Sequence, residues 1–270
     1  MTLLPNLSAL DLFVPAEGPQ GRISLVGAGP GAADLLTLRA LRVLQTCDMV
    51  LFDRLIEPEV LELVNPKAEQ MFVGKEVGAC AWPQEAINQL MVAMAQTGKH
   101  VVRLKSGDPS IFGRADEERA AALAAGIAVE IIPGITAASA AAATLGQSLT
   151  SRGLSDRVVF ATGTCREGDT APDIAALLQP GTSVALYMAT RTAEDLRRQL
   201  LEAGFAADMA VQVVASASKP GEAVLHAQIG HLPEQMHAAK ISHPAIIFLR
   251  APKKVSRETA AVALTSAVAG

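Results

Sequence analysis

Three short loops rich in glycine and proline carry the residue types best suited to chemistry. The first reads Gly27-Ala28-Gly29-Pro30-Gly31-Ala32-Ala33. The second reads Lys105-Ser106-Gly107-Asp108-Pro109-Ser110-Ile111-Phe112-Gly113-Arg114, and the third Pro133-Gly134-Ile135-Thr136-Ala137. Glycine lets backbone approach a ligand or another strand closely. Gly27 and Gly29, with Ala32 in the last slot, satisfy the dinucleotide fingerprint G-x-G-x-x-(G/A). Asp53 falls where such a site keeps its ribose-binding acid. Pro30 argues the other way. A bound pyrophosphate needs backbone N–H donors, and proline removes one in mid-loop. A sulfonium cofactor such as S-adenosylmethionine has no phosphate and loses nothing by that. The loop alone leaves a nicotinamide dinucleotide as a competitor, along with a turn that merely needs glycine.

Arg54, Arg114 and Arg152 fall in loops after expected strands or near the junction of two series of elements. Guanidinium suits bidentate capture of carboxylates, although a lone loop arginine is more often a solvated surface group. Glu117 opens a helix, where it complements the helix dipole or orients Arg114. Asp108-Pro109 reads equally as a turn initiator, and Met188 as a core methionine after a strand.

The elements that must position these residues alternate. Periodicity predicts strands over 22–26, 49–52, 70–73, 100–104 and 129–132. It predicts helices over 34–45 (capped by Asp34), 58–64, 83–98 and 116–125. Such alternation argues for an open parallel sheet covered by helices, with the three loops at neighbouring carboxyl ends of strands facing one crevice. A second series follows, with strands over 157–161, 183–187, 210–214, 223–227 and 245–249 and a helix over 192–203. The alanine-rich stretch 136–144 links the two. The expected organisation is an extension over 1–20, α/β domains over 21–135 and 136–252, and a tail over 253–270.

Composition narrows the function classes. Half of the 270 residues are hydrophobic, 19% are charged, 3% are aromatic, and the formal net charge is −4. With few stacking platforms and no basic footprint, a nucleic-acid partner is not expected. Three scattered cysteines give neither a disulfide framework nor a zinc spacing, so no metal is expected. The first residues have no secretory pattern, and no apolar run reaches the roughly 18 residues that span a bilayer. A cytoplasmic protein without a membrane partner is expected.

Set in order, the stretches VGAGPG (26–31), LLTLRAL (35–41), FDRLI (52–56), VGKEVG (73–78), RLKSGDPSIFGRADEE (103–118), IPGITAASAAA (132–142), LTSRG (149–153), YMAT (187–190) and HPAIIFL (243–249) resemble the tetrapyrrole methylases. Within them the chain is most similar to the uroporphyrinogen-III C-methyltransferases. The resemblance implies a two-domain α/β fold, each domain a mostly parallel sheet flanked by helices. It also implies S-adenosylmethionine held in the interdomain cleft, S-adenosylhomocysteine as product, and a homodimer. Pro30, Ser106, Gly107, Asp108, Ile111, Thr136, Ala137, Met188, Ala217 and Ala245 are then expected to line the cofactor pocket. Asp53 is implied as proton acceptor and Lys75 as donor. Arg114 would give electrostatic stabilisation, and Arg54, Arg114, Glu117, Arg152 and Met188 would bind a polycarboxylate tetrapyrrole. The implied reaction is two successive methylations of uroporphyrinogen III, through precorrin-1 to precorrin-2, with no fused dehydrogenase–chelatase module.

The chain departs from the family pattern at several places. Ser106-Gly107-Asp108-Pro109 stands for Gly-Gly-Asp-Pro, Ala115-Asp116 for Gly-Gly, Thr150-Ser151-Arg152 for Thr-His-Arg, and Ala32 for an Asp. Three rival readings are a same-fold methylase acting on a later corrin precursor, an NAD-dependent oxidoreductase, and a non-catalytic tetrapyrrole carrier.

Overall fold

The computed structural model describes residues 20–74, 82–165 and 170–253. The chain divides into two compact units, with the boundary between Ala137 and Ala138.

The first unit follows the alternation closely. In chain order it contains β1 (Arg22–Gly27), α1 (Leu38–Leu44), β2 (Met49–Phe52), α2 (Pro58–Leu61), β3 (Glu69–Phe72), α3 (Gln84–Gln96), β4 (His100–Lys105), α4 (Ala115–Ala124) and β5 (Ala128–Ile132). The strands form one sheet in the order β3-β2-β4-β1-β5, and every pairing is parallel. A parallel sheet is covered on both faces, and side chains alternate between those faces. Accordingly Ile23, Leu25, Leu51 and Val101 pack with Leu90, Met91 and Met94 of α3. Val26, Val50, Val102 and Leu104 pack with Ala40 and Leu44 of α1. Cys47 is buried, and desolvation pushes its thiol up to about 11.

One expected helix is shorter than its pattern. Asp34 lies in a separate 3-10 turn, Ala33–Leu35, and Leu36 is extended. Helix α1 starts at Leu38 because Thr37 Oγ1 accepts the Ala40 N–H (3.1 Å). Thr37, rather than Asp34, is thus the residue that caps the helix.

The second unit holds α5 (Ala137–Thr144, whose first residue lies on the boundary), β6 (Arg157–Thr162), α6 (Ile174–Leu177), β7 (Thr182–Tyr187), α7 (Ala193–Glu202), β8 (Ala210–Ala215), β9 (Ala223–Gln228), α8 (Leu232–Ala238) and β10 (Ala245–Ala251). Its sheet runs β6-β7-β10-β8-β9. Here the expectation of a mostly parallel sheet is corrected. Only β6–β7 is parallel, whereas β7–β10, β10–β8 and β8–β9 are antiparallel. The stretch 216–222 between β8 and β9 is too short for a crossover, which takes about a dozen residues, so it makes a hairpin. β10 inserts between β7 and β8 running against both. Val184, Leu186, Val213 and Ile247 of this sheet pack with Leu196 and Leu200 of α7 and Leu232 and Met236 of α8.

Among the described residues, no helix is long and apolar enough to cross a membrane. Among those residues, too, no cluster of His, Cys, Asp or Glu is suited to a metal ion.

Candidate active site

Adjacent strands bring the three loops together. Gly27 at the end of β1 is in register with Lys105 at the end of β4, and Val26 with Ile132 of β5. Beyond the sheet, Ala28 N–H donates to Lys105 O (2.8 Å), Gly107 N–H to Gly29 O (2.7 Å) and Gly29 N–H to Gly107 O (3.2 Å). The first two loops therefore leave the sheet as a small antiparallel bridge.

The third loop closes on them without room for side chains. A Cβ added at Gly134 would fall 2.2 Å from Gly107 O and 2.9 Å from Gly27 Cα, and one at Gly27 would fall 2.6 Å from Gly134 N. Only glycine permits backbones to meet this way.

Asp108 fastens the arrangement. Its Oδ1 accepts the Ser110 N–H (2.8 Å) and the Ser110 hydroxyl, while Oδ2 accepts the Gly134 N–H (3.0 Å). Oδ1 thus braces the second loop internally, and Oδ2 ties it to the third. Thr136 and Ala137 stand beside Gly107, whose added Cβ would lie 4.0 Å from Thr136 Cα and 3.9 Å from Ala137 N. Pro30 is buried, and Ser106 and Ile111 are half-buried on the same loops. The residues of the first unit singled out for a cofactor therefore share one sheet edge.

Next along that edge, β2 ends at Asp53-Arg54. Asp53 Oδ1 accepts the Leu55 N–H (2.9 Å), and Oδ2 faces the Arg103 guanidinium at 3.4 Å. Arg54 is exposed. Gly74, after β3, packs so closely that its Cβ would lie 2.9 Å from Arg54 N. Lys75 lies outside the described residues.

Arg114 is exposed and forms a forked pair with Glu117, Nε to Oε1 at 2.8 Å and Nη2 to Oε2 at 2.6 Å. That hydrogen bond raises the arginine's pKa further above its ordinary range. Arg114 and Phe112 have φ of 58° and 52°. L-residues hold such a conformation at a cost of about 1–2 kcal/mol each, and such strain clusters at functional sites.

In the second unit, Met188 follows β7, Ala217 follows β8 and Ala245 begins β10. Register places them at one edge, with Ile246 opposite Tyr187 and Ala245 opposite Ala215. Met188, Ser216 and Ser218 are also left-handed, with φ of 55°, 51° and 59°. Glu222 Oε2 holds the hairpin by accepting the Ser218 N–H (2.6 Å) and the Thr144 hydroxyl (3.0 Å). Arg152 is exposed on the turn closed by Ser151 and Ser155.

Sequence reasoning assigned no role to a buried ionic cluster beneath the second loop. Glu118, fully buried at the start of α4, accepts from Lys105 Nζ at 2.8 and 2.6 Å, from Arg103 Nε at 3.2 Å and from Gln84 Nε2 at 3.2 Å. Arg103 also donates to Leu51 O (3.2 Å) and Leu104 O (2.9 Å). Burial, and then the Arg103 charge, lower the Lys105 pKa. The signal was present. Arg103 and Lys105, two apart on a central strand that is apolar at Val101, Val102 and Leu104, share one face where charge is rarely buried unpaired.

Comparison with known proteins agrees with this geometry. The family model of the tetrapyrrole (corrin/porphyrin) methylases matches residues 22–233. Siroheme synthase 1 of Serratia proteamaculans is 42% identical over 262 residues, covering 87% of this chain and 55% of the relative. The siroheme synthase of Chromobacterium violaceum is 44% identical, covering 85% and 49%. The chain thus spans about half the length of these relatives.

Among solved structures, the uroporphyrin-III C-methyltransferase of Thermus thermophilus in complex with S-adenosylhomocysteine has a TM-score of 0.72 and 34% identity. That match covers 85% of this chain and 92% of the other. A cobalt precorrin-4 methyltransferase of cobalamin biosynthesis has a TM-score of 0.74 and 26% identity, covering 92% and 98%. With the family model matched over most of its length, the chain belongs to the tetrapyrrole methylases.

Proposed function

We propose that the chain is an S-adenosylmethionine-dependent C-methyltransferase that converts uroporphyrinogen III to precorrin-2 in two successive methylations, through precorrin-1, releasing S-adenosylhomocysteine. The observation that most supports this reading is the closure of Gly27, Gly107 and Gly134 on one another, with Pro30 in the first loop. The loops are drawn together by backbone contact and by Asp108, and the proline leaves one N–H fewer for a pyrophosphate. The residues present fit a cofactor without phosphate. In our reading Pro30, Ser106, Gly107, Asp108, Ile111, Thr136 and Ala137 of the first unit hold it, as do Met188, Ala217 and Ala245 of the second. Ile111 and Met188 supply apolar contact.

S-adenosylmethionine, when bound, supplies an electrophilic methyl group to a nucleophilic pyrrole carbon. The chain's own residues align the acceptor and move a proton. Arg54, Arg114 and Arg152 clamp acetate and propionate carboxylates, and Glu117 orients the Arg114 fork toward them. Each methyl transfer leaves the ring cationic. Asp53 takes a proton from a neighbouring position, because the methylated carbon bears none. Lys75 donates to one ring position only as a second proton leaves another, so that one proton is released net, and Arg114, always protonated, stabilises developing charge.

Titration calorimetry with S-adenosylhomocysteine and NAD, side by side, tests the cofactor. We expect binding of S-adenosylhomocysteine alone, and binding of NAD alone would overturn the reading. A later corrin precursor is the second reading, favoured by the likeness to the cobalt precorrin-4 enzyme. The acceptor decides between the two.

A further inference from the structure

We propose that Arg103 is a positioning residue for the proposed proton acceptor Asp53, and that the buried Glu118–Lys105 pair is the device that fixes Arg103. This inference rests on the role given to Asp53 above and adds residues that no part of that reading uses. The geometry is a chain of grips. Asp53 Oδ1 is held by the Leu55 N–H at 2.9 Å, and Oδ2 by Arg103 Nη2 at 3.4 Å, so both oxygens have a partner. On its other side, Arg103 Nε is bound to Glu118 at 3.2 Å, and Nη1 is bound to the carbonyls of Leu51 and Leu104. The guanidinium therefore has one orientation and a planar fork aimed along β2 toward the sheet edge.

Charge arithmetic points the same way. Arg103 and Lys105, at 7% and 6% side-chain exposure, bring two formal positive charges to Glu118, which at 0% brings one negative. Buried charge is costly unless paired. Among the described residues, the second carboxylate paired with this cluster is Asp53, at 28% exposure. A purely structural cluster would complete its charges in the interior. This one reaches out to a carboxylate at the mouth of the candidate site. Lys105 also underlies the turn before Arg114, since a Cβ at Gly113 would lie 3.2 Å from Lys105 Cε. Lysine at position 103 could not serve two carbonyls and two carboxylates at once.

A double-mutant cycle on the full chain tests this with methyl transfer to uroporphyrinogen III as the assay. Arg103→Lys should lower kcat by about 10- to 100-fold, as misplacement of a reacting group does. KM and the affinity for S-adenosylhomocysteine should stay within about 3-fold. In the Asp53→Asn background, adding Arg103→Lys should cost almost nothing more, because both act through one group. Equal losses in the two backgrounds would overturn the inference, as would normal turnover in Arg103→Lys alone. Normal turnover in Asp53→Asn would instead remove the role of Asp53 itself.

Should Arg103→Lys fail to fold, the arginine side-chain NMR signals of otherwise native protein carry the test. The Arg103 Nε–H resonance should move in Asp53→Asn, and an unmoved resonance would overturn the inference.

Discussion

In the first sheet all strands run one way, so the candidate residues at its edge sit just past strand ends: Pro30 after β1, Asp53 after β2, Asp108 after β4 and Thr136 after β5. In the second, Met188 and Ala217 follow strand ends, but Ala245 begins β10, which reaches the same edge because it runs antiparallel to β7 and β8. The first edge is built from glycine backbones in contact. The second is built from left-handed Met188, Ser216 and Ser218 and a Glu222 side-chain strut. In the parallel edge, close backbone approach and the Asp108 carboxylate together hold loops from adjacent strand ends. An antiparallel one can set a strand start beside strand ends.

That difference gives a series of tests. The largest effect is expected at Gly134→Ala, whose Cβ would meet Gly107 O at 2.2 Å. Relieving that overlap requires backbone movement, which should cost about 3 kcal/mol or more in chemical unfolding and remove S-adenosylhomocysteine binding. A variant of native stability would break the claim that backbone contact holds this edge. Next, the two carboxylate struts can be set against each other. Asp108→Ala leaves the Gly134 N–H without its acceptor and should cost about 1–3 kcal/mol. Glu222→Gln, at an exposed site, should cost under about 1 kcal/mol. The reverse ranking would mean that the second edge is the stiffer.

Asp108 also shows how far the sequence could be read. Its loop, its strand and its edge all follow from the alternation of apolar runs with glycine-rich turns, since a parallel sheet gathers the carboxyl ends of its strands at one edge. Its bond to the Gly134 N–H depends on a contact between segments 26 residues apart in the chain, which local pattern does not encode. The direction of β10 was hidden for the same reason, because pairing partner and sense are tertiary choices that the apolar run 245–249 leaves open. Thr37 displaced Asp34 as a cap because both are good cap residues at the head of one apolar pattern. Arg103 and Lys105 were visible as charges in an apolar strand, whereas Glu118 was one of four successive charges at the head of α4, and their link to Asp53 appears only once β2 and β4 lie side by side.

Smaller effects probe the strained positions and the opposite edge. Met188→Asn should raise stability by up to about 1 kcal/mol, because asparagine tolerates the left-handed region, while turnover falls. A gain in both would deny Met188 a place in the chemistry.

The smallest effect concerns His100, at the start of β4. Arg22 donates to its Nδ1 (3.2 Å). Its Nε2 lies 2.8 Å from Ser24 Oγ, which donates to Glu130 (2.9 Å). This pattern suits the neutral ring, and burial, followed by the Arg22 charge, lowers its pKa. The unfolded chain then binds the proton more readily than the native one, so stability present above about pH 6.5 declines as the pH falls below it. His100→Gln should flatten that decline in a series of denaturant titrations, and an unchanged slope would refute the assignment.

The proposed chemistry is the transfer of methyl groups to an early tetrapyrrole. Mass spectrometry of the product formed from uroporphyrinogen III and S-adenosylmethionine tests it most directly. Two added methyl groups and two equivalents of S-adenosylhomocysteine are expected. An unmodified uroporphyrinogen III, recovered while S-adenosylhomocysteine still binds the protein, would contradict it.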